Sequence, residues 1–156
     1  MPTLAFVGLD VSQPGASVCF LLADGSEPLP AGRSPIPSLA RRPWRPRWRS
    51  WPRPHQIDQL RIGMEATGLL WWHLACTLKD APALAPFARR IDALNPHLIT
   101  TFRANYGALP KSDHADAFLI AERIRFGRLL PWPFQLDARY APLQRLTRFR
   151  CHLAQK

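Results

Sequence analysis

Cysteine is scarce and scattered in this chain. Cys19, Cys76 and Cys151 are odd in number and far apart, and no C-x-x-C pair occurs. That argues against a disulfide framework and against a thiolate zinc site, and leaves a reducing cytoplasm as the expected location. Long apolar runs are missing too. No stretch approaches 18 residues, so no transmembrane helix and no membrane partner are expected. Met1 to Leu9 is too short for a signal peptide and runs straight into an acid. No internal repeat is present. Lysine is nearly absent: Lys79, Lys111 and Lys156 stand among 21 basic residues, and the rest are arginine. Acids number only 11, which leaves a net charge of +10. Such an excess favours a polyanionic partner, most simply nucleic acid. GC-rich coding, which enriches Arg, Ala and Pro together, would give a similar balance.

What is present suffices for one domain with an appended element. The chain has 156 residues, 47% of them apolar, enough for a real core. Residues 4–12 are nearly continuous in apolar side chains, as a buried central strand should be, and Asp10 interrupts them. Pro14-Gly15 turns the chain, and residues 16–22 read as a second strand closed by Asp24-Gly25, which together predict a hairpin. A strand is predicted over 60–65, ending on Glu65. Thr67-Gly68 can cap a helix over 69–79 with Leu70, Leu74 and Leu78 along one stripe. A short strand over 87–94 leaves through Asn95-Pro96 into a short helix over 97–105. A helix opens at Asp113 and runs to about Arg128, where Pro131 and Pro133 break the pattern. A last helix over 137–155 carries Leu143, Leu146, Phe149 and Leu153 near heptad spacing, with Arg139, Arg145, Arg148 and Arg150 around them.

Residues 28–55 differ from the rest. They hold eight prolines, seven arginines and three tryptophans, without an acid. Proline at this density forbids a regular helix or a central strand. From Arg41 to Trp51, arginine alternates with tryptophan, which would let guanidinium groups meet phosphates while indoles stack on unpaired bases. A solvated, disordered insertion fits the composition equally well. So does a locally frameshifted piece of the gene.

Four acids stand out by position: Asp10, Glu65, Asp113 and Asp116. The first lies in the opening strand and the second ends a later one. The last two open a helix, where i, i+3 spacing puts them on one face. Residues in and at the ends of adjacent strands can converge on a helix terminus. Converged carboxylates suit magnesium or manganese, which prefer oxygen ligands, and such ions support phosphodiester chemistry. Each acid also has an ordinary reading. Asp10 can begin a turn, Glu65 can be an exposed strand end, and Asp113 and Asp116 can simply face the positive end of the helix dipole.

Gly8-Leu9-Asp10-Val11-Ser12 resembles the opening strand motif of the DEDD transposases, the Piv/MooV-type recombinases of bacterial insertion sequences. Gly63-Met64-Glu65-Ala66-Thr67-Gly68, followed by Trp71-Trp72 and Leu74, is similar to their E-x-T-G motif and aromatic helix. Leu94-Asn95-Pro96 resembles their N-P turn, and Lys111-Ser112-Asp113-His114-Ala115-Asp116-Ala117 their K-T/S-D-x-x-D-A motif. Leu143, Leu146, Thr147, Arg148 and Arg150 resemble the start of their coiled-coil helix. The likeness covers about 4–26 and 57–156, in order.

The resemblance implies an α/β, RNase H-like (RuvC-like) mixed sheet flanked by helices over residues 1–135. Residues 136–156 would start a coiled coil. It implies Asp10, Glu65, Asp113 and Asp116 as catalytic and metal-binding residues, with Mg2+ or Mn2+ as cofactor, and DNA transposition by site-specific recombination as the activity. Lys111 could neutralise phosphate or be a solvated loop residue. Some members are directed by a structured guide RNA, which makes RNA a second candidate partner beside DNA. The full-length family forms homo-oligomers and carries a C-terminal domain with a nucleophilic serine. No serine here matches that motif, so the chain is read as truncated, with no nucleophile assigned and its own activity open. Between the second strand and E-x-T-G the family holds a further strand and a helix, and residues 28–55 resemble neither. Two other readings remain: a self-contained RuvC-like, magnesium-dependent nuclease acting on branched DNA, and a non-enzymatic basic protein binding nucleic acid through residues 41–51.

Overall fold

The computed structural model describes residues 3–12, 15–29, 32–34, 57–68, 70–107, 109–127, 132–133 and 139–154. The arginine- and tryptophan-rich run from Arg41 to Trp51 lies outside them. The apolar opening run forms β1 (Thr3–Ser12), which turns back antiparallel into β2 (Gly15–Leu22) with Gly8 opposite Cys19. After a three-residue strand, β3 (Gly32–Ser34), the chain returns as β4 (Ile57–Glu65), parallel to β1. Helix α1 (Leu70–Lys79) crosses to β5 (Ala88–Leu94), parallel to β4. Then come α2 (Pro96–Arg103), α3 (Asp113–Phe126), the two-residue strand β6 (Trp132–Pro133) and α4 (Ala141–Ala154). The sheet order is β3-β2-β1-β4-β5-β6, carried by four long strands with a short one at each edge. A mixed sheet of this order with helices on both faces is the RNase H-like architecture.

Strand alternation sorts the core into two layers. Ala5, Val7 and Leu9 of β1 join Leu60, Ile62 and Met64 of β4 on one face, beneath Trp71, Trp72, Leu74, Ala75 and Leu78 of α1. The buried face of α1 is therefore wider than the leucine stripe predicted for it, and Leu70 lies only at its margin. Phe6, Cys19, Leu21 and Leu94 face the other way, toward Ile99 and Phe102 of α2 and toward Ala117, Leu119, Ile120, Ala121 and Ile124 of α3. Successive strand residues point to opposite faces. Gly8 and Gly63, paired across β1 and β4, therefore lie on the α3 side with Asp10 and Glu65.

Two expectations need correction. Residues 28–55 are not free of regular structure, because Gly32–Ser34 adds antiparallel to β2 through Ala16 to Val18. The proline-rich composition hides it, since three edge residues need no periodicity, only a partner with open backbone groups. Pro131 and Pro133 were expected only to break structure. Instead Trp132–Pro133 pairs with Ala93 and Asp92 of β5, and proline is tolerated because this is an edge.

Helix α4 starts at Ala141, later than the 137 predicted for it. Arg148 fastens it to α1, its guanidinium 4.2 Å from the ring centre of Trp72 and 5.2 Å from that of Trp71. Leu143, Leu146, Phe149 and Leu153 remain exposed.

Candidate metal and phosphodiester site

The site is set by how closely α3 can approach the sheet. Over Gly8, a Cβ would fall 2.0 Å from the carbonyl oxygen of Ala117 and 2.5 Å from the nitrogen of Ala121. Over Gly63, it would meet Ile120 and Ile124 at 3.2 and 3.1 Å. Gly8, facing Ala117 and Ala121, lets helix backbone rest almost on strand backbone, while Gly63 beside it lies under the side chains of Ile120 and Ile124. The first turn of α3 then stands beside the C-terminal ends of β1 and β4.

Those ends carry the acids. The β1–β4 register runs Gly8 to Gly63 and Leu9 to Met64, so Asp10 and Glu65 follow as neighbours on the α3 face. Asp116 precedes Ala117, the residue resting on Gly8. Burial pushes the Glu65 carboxyl above its usual range, and the negative charges of Asp10 and Asp116 push it further. Three carboxylates from two strands and a helix thus feel one another. Asp10, Glu65 and Asp116 are half-buried, whereas Asp113, the first residue of α3, is exposed and not among the charges that shift Glu65. The structure brings three of the four predicted residues into one electrostatic group and leaves the fourth at its rim.

Local chemistry explains the motif around the pair. Ser112 is extended, and its hydroxyl accepts from the nitrogen of Ala115 at 3.1 Å, an N-cap bond. Asn95 caps α2 in the same way, accepting from His97 nitrogen at 2.9 Å with Pro96 in the first turn. Both caps hold the orphan donors of a helix start. His114 lies next to the acids in sequence, yet its Nε2 is 3.9 Å from a carboxylate oxygen of Glu27.

The group is not closed around a common point. Among the described residues, no three His, Cys, Asp or Glu side chains are arranged to hold a metal ion as they stand. Asp116 is ion-paired with Arg103, the last residue of α2. In donor chemistry the acids fit a hard divalent cation, since all donors are carboxylate oxygens. Arg103 holds the Asp116 Oδ1 for which such a cation would compete.

Sequence reasoning missed Arg103, and it missed Asp92. Asp92 is fully buried in β5, opposite Gly63. It accepts from Arg61 Nε and Arg90 Nε, each at 2.8 Å. Arg61 also donates to the carbonyl of Ile124 at 3.4 Å, tying β4, β5 and the C-terminal turn of α3 together. This acid is structural, since both its oxygens are taken by guanidinium groups. The signal for it was an acid amid the apolar end of a strand, which makes sense only once its basic partners are known.

Among the described residues, no helix is long and apolar enough to cross a membrane. No curated protein matches the chain. A family model described as a transposase, the DEDD type of IS110 elements, matches residues 7–156.

Proposed function

Because the chain belongs to the DEDD transposase family, whose role is DNA transposition and recombination, we propose that Asp10, Glu65, Asp113 and Asp116 together hold one or two magnesium or manganese ions on a DNA phosphodiester. The observation that supports this reading is the placement of Asp10 and Glu65 near the ends of adjacent parallel strands, beside the first turn of α3, which carries Asp113 and Asp116 and is seated on Gly8. A bound divalent cation would polarise the phosphodiester and favour the ionised form of an attacking hydroxyl. The chain's own contribution is to hold the carboxylates. Asp10 and Glu65 are fixed by strand hydrogen bonds, and Asp116 by the capped first turn of α3 and its seat over Gly8. Asp113 sits where the helix dipole favours negative charge and where a phosphate-bound cation can reach it from solvent.

The surrounding charge suits the substrate. A net charge of +10 attracts a polyanion and makes binding weaken steeply with salt. The exposed stripe on α4, Leu143, Leu146, Phe149 and Leu153, supports reading this helix as the start of a longer coiled-coil segment.

The test is calorimetric titration of Mn2+ into the wild-type chain and into Asp10→Asn and Asp113→Asn. Loss of binding in both variants is expected. Unchanged binding in both would refute the tetrad. Magnesium-dependent cutting of a four-way DNA junction by this chain alone would instead favour a self-contained RuvC-like nuclease.

A further inference from the structure

Within that metal-binding reading, we propose that Arg103 is the counter-ion of the metal-free site and competes with the divalent cation for Asp116. The guanidinium is placed, not adventitious. It ends α2, donates through Nη1 to the carbonyl of Leu109 at 3.5 Å in the loop before α3, and pairs through Nη2 with Asp116. Its neighbour Phe102 is buried, packs edge-on to Tyr106 at 5.2 Å, and lies under the guanidinium of Arg123 of α3 at 5.1 Å. The end of α2 is therefore anchored on α3, and Arg103 cannot drift from the acids without leaving its own bonds. About a quarter of the Arg103 side chain and a third of that of Asp116 are exposed, so the pair is open to exchange with ions from solvent.

The placement calls for such a partner. Asp10, near the end of β1, and Glu65, at the end of β4, stand beside the first turn of α3 that carries Asp116, and like charges so placed repel. A cation at this point relieves the repulsion, and in the metal-free chain Arg103 supplies it. Arg103 holds Oδ1 of Asp116, so a divalent cation that takes this oxygen competes with the guanidinium for it. Loading through that oxygen would therefore exchange one cation for another.

Mn2+ titration of the full chain by calorimetry tests this in wild type, Arg103→Gln and Asp116→Asn. A partly exposed ion pair predicts about fivefold tighter Mn2+ binding by Arg103→Gln than by wild type, together with a lower melting temperature of the metal-free chain. A merely structural arginine would give lower stability and equal or weaker binding. In the wild type, the Nε–H signal of Arg103 in 15N NMR should move with added Mg2+ and saturate with it. This readout does not depend on the variant folding. If Asp116→Asn loses Mn2+ while Arg103→Gln binds no tighter than wild type, or the Arg103 signal stays still, the counter-ion role is refuted and the metal site stands. If the wild type binds no Mn2+, or Asp116→Asn binds it equally well, the metal reading falls and this inference with it.

Discussion

Gly8 of β1 and Ala117 of α3 are in backbone contact: a methyl group on Gly8 would lie 2.0 Å from the Ala117 carbonyl oxygen. This contact decides where the first turn of α3 stands relative to the ends of β1 and β4. The acids on those three elements meet because a strand residue without a side chain faces a helix residue with a minimal one.

Gly8→Ala should therefore be severe. The clash is with backbone atoms of Ala117 and Ala121, which cannot rotate away, so α3 must lift from the sheet. Overpacking of this kind costs about 3 kcal/mol or more. Gly63→Ala meets the ends of Leu94, Ile124 and Ile120 at 3.0 to 3.2 Å, which can give, and about 1 kcal/mol is expected. Urea denaturation of both variants measures the difference. Equal losses would show that α3 is less tightly seated than the contact implies.

Asp92→Asn should destabilise by about 3 kcal/mol, because it leaves the partly buried Arg61 without its charge partner beneath α3. Arg90→Gln should cost less than about 1 kcal/mol, since Arg90 is half in solvent and leaves Arg61 still paired. Chemical denaturation gives the order, and a larger loss from Arg90→Gln would contradict it.

Glu122 offers a pH test away from the proposed site. Hydrogen bonds from Arg125, at 2.5 and 2.6 Å, hold its carboxyl below the usual glutamate range, with Tyr106 adding a third at 3.1 Å. A lowered folded-state pKa contributes stability that is full above the unfolded value of 4.5 and is lost as pH falls through the folded one. Glu122→Gln should lower stability by about 1 kcal/mol at pH 7. The gap to wild type should close below pH 4.5. A gap that persists or widens in acid would mean that the ionised form is not what the arginine stabilises.

Glu65→Gln should act in the opposite direction on the metal-free chain. Burial, with repulsion from Asp10 and Asp116 added to it, disfavours a charge there, so removing it should raise the melting temperature by about 2 °C at neutral pH. Differential scanning calorimetry without divalent metal is the measurement. A fall in melting temperature would show that Glu65 is held by its neighbours rather than strained by them.

Much of the chain could be read without a structure. Apolar runs over 4–12 and 16–22 became β1 and β2, and the acid at the end of β4 and the pair opening α3 stood where the motifs put them. Ser112 and Asn95 cap α3 and α2, roles that the sequence reading did not assign to them. The short strands β3 and β6 could not be read, because three and two residues have no period and become strands only when a neighbour offers its edge. Asp92 carried no assigned role, since its partner Arg61 is 31 positions away. Arg103 carried none either, because its partner Asp116 lies on another helix.

The sequence by itself determined the four long strands, the family motifs and the order of the four acids along the chain. Only the tertiary structure decided that Asp10, Glu65 and Asp116, on three separate elements, come beside one another and that Arg103 pairs with Asp116. Pairing between residues far apart in sequence depends on how closely two backbones approach, and here that distance is fixed by Gly8 under Ala117.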